Sequence, residues 1–282
     1  RFKAGDYRFT NKMLPSEVMA IIMSGVSYGM QLPIPEGFNM AQIAEALDKV
    51  KPGSRERFLE LCADRKFIAT LELSPGGTAP ATLEGYLFPE TYLVGRKTPE
   101  EEVIRQMVRK FKGVFTPELR ARAKEIGLSE HETITLASII EKETGAPDER
   151  PLISSVFHNR LKKHMKLQTD PTVIYGIRNY NGNITRKDLE TPTPYNTYFI
   201  PGLPPGPIAS PGKDAIVAAL YPKESPYLFF VSHNDGTHEF TSTYDDHRKA
   251  VTKFQLDPKA REGKSWRDLS KRLPQGPQSG KN

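Results

Sequence analysis

Between residues 167 and 212 the chain carries Pro, Gly, Thr, Asn and Tyr so densely that no long helix can run through it: LQTDPTVIYGI, then DLETPTPYNTYFIPGLPPGPIASPG. Proline removes a backbone donor and clashes with the preceding turn, so a helix interior rejects it. A stretch of this length without regular structure is, inside a compact protein, either functional or disordered. Its aliphatic and aromatic residues argue against disorder. Ordered loops lining a surface are therefore expected, and the rest of the chain must supply the frame that holds them.

That frame is legible on both sides. Upstream, Thr98-Pro99 starts a helix to about Phe111 with Glu101 placed for a capping box, and Thr116-Pro117 starts another that ends at Gly127. Ser129 and Glu132 form a second capping-box pattern ahead of ITLASIIEKETG, with Gly145 as the stop. Asp148 to about Lys163 reads as an amphipathic helix with Leu152, Ile153, Val156, Phe157 and Leu161 inward. Downstream, a helix from Ser210-Pro211-Gly212 to Leu220 is followed by a hairpin of Tyr227–Ser232 and Thr237–Thr241 around Asn234-Asp235-Gly236. A last helix covers Tyr244 to about Gln255.

The first 80 residues read as a smaller α+β unit. Asp6–Thr10 is expected as a short strand and Leu14–Ser24 as a helix stopped by Gly25. Gln31–Ile34 is expected as a strand, Pro35-Glu36-Gly37 as a turn, and Met40–Val50 as a helix capped by Asn39. Ser54 caps the next helix, which carries Phe58, Leu61 and Cys62 on one face, so Cys62 is expected to be buried and inert. The SPGGTAP loop at 74–80 is the expected boundary between residues 1–80 and the larger unit, 81–258.

Charge excludes some functions. The chain of 282 residues carries 40 Lys and Arg against 34 Asp and Glu, a net +6. Residues 259–282 hold seven Lys or Arg and two acidic residues, so +5 of that charge sits on the tail. A nucleic-acid binder carries its basic footprint on the folded body, so no nucleic acid is expected. The tail is either a solvated end or a contact for an anionic membrane or wall. One cysteine permits no intramolecular disulfide, and the histidines form no ligand pattern, so neither metal nor cofactor is expected. The longest apolar run, Val18–Met23, is far too short to span a bilayer. The chain starts at Arg1 instead of Met and reads as a segment of a longer protein, so any signal or anchor upstream would lie out of view.

The chemistry concentrates in EKET. At about 100° per residue, with Leu136 at zero, Ile140 falls near 40°, Ile139 near 300° and Glu143 near 340°, inside the apolar stripe. Glu141 falls near 140°, at the edge. A carboxylate among Leu and Ile side chains loses hydration and favours its protonated form, which a glycosidic leaving oxygen requires of a general acid. The competing reading is a last-turn glutamate paired with a local Arg or Lys. Gln168, Thr169, Asp170, Asn196 and Thr197 could hydrogen-bond sugar hydroxyls and N-acetyl groups, and Tyr175, Tyr195 and Tyr198 could stack on sugar faces. Alternatively, the Asp and Asn are turn formers and the tyrosines are core. Asp170 is the candidate for a second carboxylate in a hydrolytic pair.

In this order, LEGYLFPETY, ASIIEKET, SSVFHNRLKKHMKLQTDPTVIYG, DLETPTPYNTYFIPGLPPGPIASPG and YLFFVSHNDGTHEF resemble the MltG (YceG-like) endolytic murein transglycosylases. The resemblance runs from about Gly5 to Leu256, more loosely before residue 83. It implies an α+β fold: a small LysM-like N-terminal domain, then a mainly helical lysozyme-like catalytic domain with long loops and a few strands. It implies non-hydrolytic cleavage of the MurNAc–GlcNAc bond inside peptidoglycan glycan strands, leaving 1,6-anhydro-MurNAc ends and ending nascent strands made by synthases of the penicillin-binding class. It implies a bacterial inner-membrane protein with a single span and its catalytic part in the periplasm or outside the membrane. The catalytic acid becomes Glu143, with Glu141 as the alternative. Gln168, Asp170, Tyr195, Asn196 and Thr197 become groove residues by motif position. Glu84 and Glu90 lie in a family motif without an assigned role. Two rivals remain: a muramidase using Glu143 with Asp170, and a non-catalytic peptidoglycan-binding module.

Overall fold

Helix caps decide where the chain turns in the computed structural model, which describes residues 2, 7–24, 29–73, 79–177 and 180–257. Helix α1 is Pro15–Ser24, and none of its side chains is buried. The strand expected over Asp6–Thr10 does not form across Tyr7–Thr10, which find no partner ladder, and Gly25 lies outside the described residues. Strand β1 is Met30–Pro33. Helix α2, Met40–Val50, starts at a full capping box: Gln42 N–H donates to Asn39 Oδ1 at 2.9 Å, and Asn39 N–H to Gln42 Oε1 at 3.0 Å.

Helix α3, Arg55–Ala63, departs from the expected cap. The Ser54 hydroxyl donates to Glu100 Oε1 at 2.7 Å, while Asp48 Oδ1 accepts the Gly53 and Ser54 N–H groups at 2.8 and 3.1 Å. A distant carboxylate has taken the serine, and an aspartate from the previous helix does the capping. Cys62 is fully buried, and desolvation pushes its thiol far above the usual range. The short helix α4, Arg65–Ala69, follows.

Strand β2, Thr91–Val94, pairs antiparallel with β1, Met30 facing Val94 and Pro33 facing Thr91. Leu32, Tyr92 and Val94 point into the core, while Leu93 faces out. This ladder joins chain from either side of the 74–80 loop, of which residues 74–78 lie outside the described residues. Helix α5, Glu100–Val114, packs on α3, so Leu32, Ile43 and Phe58 share one core with Ile104, Phe111 and Leu136. The expected capping box at Glu101 is absent: Glu101 pairs with Arg57 at 2.6 Å, and Pro99 begins the helix without a side-chain cap.

Helix α6, Pro117–Glu125, is capped by Thr116, and Gly127 (φ +78°) turns the chain out of it. Helix α7, Glu130–Glu143, starts at the Ser129–Glu132 capping box. Every residue from Thr133 to Ile140 is buried, so α7 is sheathed on all sides. Its packing partners are α6, α8 (Arg150–Lys162), α9 (Asp170–Gly176) and α11 (Lys213–Leu220). Helix α8 begins later than expected because Pro147–Glu149 forms a separate 3-10 turn. Among the described residues between α9 and α11, only α10 (Arg186–Glu190) is regular.

The hairpin is β3 (Phe229–Ser232) and β4 (His238–Thr241), with Asn234 at φ +64° and Gly236 at φ +94°. Helix α12, Tyr244–Val251, ends in a π-helical turn over Thr252–Leu256. The architecture is α+β: helices around α7, with two short antiparallel strand pairs.

Candidate active site

Glu143 is the last residue of α7, and the chain leaves the helix at Thr144, whose hydroxyl donates back to Ile140 O at 2.6 Å. Gly145 does not take the left-handed conformation of a glycine stop. Its need for glycine is contact: a Cβ there would sit 2.7 Å from Gly236 O and 2.9 Å from Gly236 Cα. The hairpin turn is thus held against the end of the helix that carries Glu143. Gly145→Ala is expected to destabilise the fold by about 1–3 kcal/mol through overpacking, read as a lower urea midpoint with unchanged slope; an unchanged midpoint would show that the two turns separate freely.

A cavity of about 310 Å³ opens beside Glu143. Arg160, Gln168, Asp170 and Tyr198 complete its polar lining, and Phe229, Phe230, Tyr244 and His247 form an aromatic wall that meets the polar side where Arg160 lies over Phe229. Thr169 Oγ1 donates to Glu143 Oε1. Burial pushes the Glu143 carboxyl up to about 7, and the charge of Asp170 pushes the same way; the Thr169 bond and the Arg160 cation oppose them. A general acid ready at neutral pH requires such a balance. Asp170, the first residue of α9, accepts a hydrogen bond from Tyr198 at 2.7 Å.

The loops around the acid are pinned from beneath. Gln168 is held at φ +51°, a conformation that disfavours a residue with a side chain. Its N–H donates to Thr197 O at 3.2 Å, and Thr169 N–H donates to Thr197 Oγ1 at 3.0 Å. The Thr197 hydroxyl also meets Thr172 Oγ1 at 2.8 Å. Thr197 is fully buried and supports Thr169 from below the cavity. Asn196, also fully buried, donates to the carbonyls of Leu189 and Thr191 at 3.0 and 2.8 Å and accepts from Tyr198 N–H at 3.0 Å.

Tyr175 and Tyr195 do not line the cavity. Their rings pack together at 4.8 Å, and Tyr175 donates to Glu84 Oε2 at 3.0 Å. Glu84 is 4% exposed and also accepts Met40 N–H at the start of α2, at 3.1 Å. Desolvation pushes its carboxyl up to about 7, against the bonds from Met40 and Tyr175.

Glu141 faces other neighbours. It lies 3.4 Å from Arg150 and accepts Gly212 N–H, at the start of α11, at 3.1 Å. The local-arginine arrangement considered for Glu143 therefore belongs to Glu141. Among the described residues, no cluster of three or more His, Cys, Asp or Glu side chains is placed to hold a metal ion.

Sequence reasoning missed Arg160 and the aromatic wall. For Arg160 a signal existed: Ile153, Val156, Phe157 and Arg160 share one helical face, and all four are buried. No local signal marks Phe229, Tyr244 or His247, because the hairpin and α12 bring them to the cavity from far along the chain.

The YceG-like family matches residues 1–253. The chain is similar to an endolytic murein transglycosylase of Bacillus subtilis (strain 168), 36% identical over 264 residues that cover 90% of this chain and 73% of that protein. An endolytic murein transglycosylase of Streptococcus pneumoniae (serotype 2, strain D39) is 31% identical over 276 residues, covering 88% of this chain. The alignment covers 50% of that streptococcal relative's own length. A 2.6 Å crystal structure of a YceG-like protein from Listeria monocytogenes superposes with a TM-score of 0.71 at 35% identity, covering 88% of this chain and 84% of that one. The chain belongs to the YceG-like family.

Proposed function

We propose that this protein is an endolytic murein transglycosylase. It cleaves the MurNAc–GlcNAc bond within peptidoglycan strands, leaves 1,6-anhydro-MurNAc ends, and so terminates strand growth. The single observation that carries this reading is a glutamic acid raised to about 7 at the wall of an open cavity, with Thr169 fixing its orientation. Glu143, protonated, gives its proton to the glycosidic oxygen as that bond breaks. The 6-hydroxyl of the muramoyl sugar then attacks C1, and the ionised Glu143 takes the hydroxyl proton. The sugar's own N-acetyl oxygen can stabilise the developing oxocarbenium charge, so one carboxyl group suffices. The aromatic wall supplies sugar-stacking surface that Tyr175 and Tyr195 do not.

A second reading has its own observation. Asp170 lines the same cavity, and its charge reaches Glu143. A water activated there would make the enzyme a muramidase. Mass spectrometry of products from uncrosslinked strands separates the two: anhydro ends are lighter than reducing ends by one water. Internal fragments with anhydro ends are expected; reducing ends alone would move the assignment to the hydrolase.

On the same reading, residues 1–80 are a LysM-like unit, 81–258 the lysozyme-like catalytic unit and 259–282 a basic tail. The strand, turn and helix order of β1, Pro35–Gly37 and α2 supports the first, whose strand is paired by β2 from the second unit. No helix among the described residues is long and apolar enough to cross a membrane. Anchoring in the inner membrane is assigned to a segment outside this chain, with a peptidoglycan synthase as the partner that supplies nascent strands.

A further inference from the structure

Arg160 is 7% exposed, yet it forms part of the cavity wall. Its Nε donates to Leu228 O at 2.7 Å, and its Nη1 donates to Leu167 O at 2.8 Å and to Lys166 O at 3.2 Å. The guanidinium carbon stands 5.1 Å from the centre of the Phe229 ring. These contacts fix the plane and direction of the group. They also leave Nη2 without a protein acceptor among the described residues. Among the same residues its hydrogen-bond acceptors are carbonyl oxygens and, at 3.4 Å, Gln168 Oε1; no carboxylate accepts from it, although the charge of Glu143 reaches it.

A buried cation that no carboxylate touches is costly, and at Arg160 the field of Glu143, itself held partly protonated at neutral pH, offsets only part of that cost. Here it is held rigidly at an open cavity with one donor arm unused. A planar guanidinium matches an sp² oxygen better than a hydroxyl, because its N–H groups meet the in-plane lone pairs of a carbonyl or carboxylate. Ring hydroxyls of a glycan offer no such acceptor. Acyl oxygens of this kind occur on substituents of the sugars in a peptidoglycan strand: the N-acetyl group and the lactyl group, which ends in a carboxylate or in the amide of a peptide stem.

The geometry points to Arg160 as a substrate-binding residue that receives an acyl oxygen of the sugar substituent through Nη2, and thereby selects acylated glycans over unsubstituted ones. The inference deepens the function proposed above and rests on it.

The test uses the full chain carrying Glu143→Gln, crystallised with an uncrosslinked GlcNAc–MurNAc oligosaccharide. An N-acetyl or lactyl oxygen within about 3.2 Å of Arg160 Nη2 is expected. An oligosaccharide seated in the cavity with only a hydroxyl or a water at Nη2 would overturn the assignment while leaving the enzyme reading intact. An oligosaccharide that binds elsewhere, or not at all, would remove both. In solution, Arg160→Lys in the otherwise native chain is expected to raise KM by about tenfold or more with kcat changed by less than about threefold. A fall in kcat at unchanged KM would show that Arg160 acts only in the transition state and would overturn the binding role. The same variant distinguishes the oxygen: a loss confined to strands stripped of peptide stems identifies the lactyl carboxylate, and an equal loss on stem-bearing strands identifies an amide carbonyl.

Discussion

Replacing Glu143 by Gln is expected to lower kcat for strand cleavage by about 10²- to 10⁴-fold, the contribution typical of a positioned general acid. Gln keeps the size of the side chain, and its amide oxygen can still accept from the Thr169 hydroxyl, so strand binding should survive. The same carboxyl serves as acid in the first step and as base in the second, which places the expectation toward the upper end of that range. The wild-type rate should also report the carboxyl's own ionisation. Its folded value is raised from 4.5 to about 7. The proton is therefore held below about pH 7 and lost above it, so the rate should fall tenfold per pH unit on the alkaline side. Glu141→Gln should behave differently. It weakens the contact with Arg150 and the acceptor for Gly212 N–H, so thermal stability should fall while kcat stays within a few-fold of wild type. Both results come from quantifying released fragments by mass spectrometry beside a melting curve. A dead Glu141 variant next to an active Glu143 variant would place the chemistry on the other side of α7.

The second large effect is on stability and centres on Glu84. This carboxyl ionises near 4.5 when free and near 7 in the fold, where burial dominates. Between those values the folded chain holds a proton that the unfolded chain has lost. Stability from this group is therefore complete below about pH 4.5, falls as pH rises to about 7, and stays low above it. The span corresponds to about 3 kcal/mol, at roughly 1.4 kcal/mol per unit. Glu84→Gln copies the protonated acid: its oxygen can accept Met40 N–H, and its amide can donate to the Tyr175 oxygen. At pH 8 the variant should melt roughly 5 °C or more above wild type, and at pH 4.5 the two should coincide. Glu143 imposes a pH dependence of the same sign, so the comparison is best made against Glu143→Gln as well. A Glu84→Gln variant less stable than wild type at every pH would mean that the bonds to the ionised carboxylate outweigh its burial.

What could be read from the sequence follows the range of the interaction. Asn39, Thr116 and Ser129 were legible as helix starts because each caps the backbone three residues ahead of it. Ser54 and Glu101 carry the same local signature, but distant partners claimed them, Glu100 for one and Arg57 for the other. Helical angles separated Glu143 from Glu141, and in the fold the two meet different neighbours, Thr169 and Arg150. The tyrosines show where such reasoning stops. Tyr198 reaches the cavity, and Tyr175 reaches Glu84. Nothing in composition distinguishes them, because Glu84 enters from the beginning of the same long unit and only the tertiary fold sets its position.

The pairing of β1 with β2 carries a consequence for synthesis on the ribosome. A chain emerges from its N-terminus, and domains generally fold as units in that order. Residues 30–33 leave the ribosome well before 91–94, the segment that completes their ladder. Until then, the edge of β1 has no native mate and Leu32 has no finished core to enter. The early part of this protein must therefore wait for the later part. Any pause in translation before residue 94 would prolong the life of an open strand edge, the surface most prone to pairing with another chain.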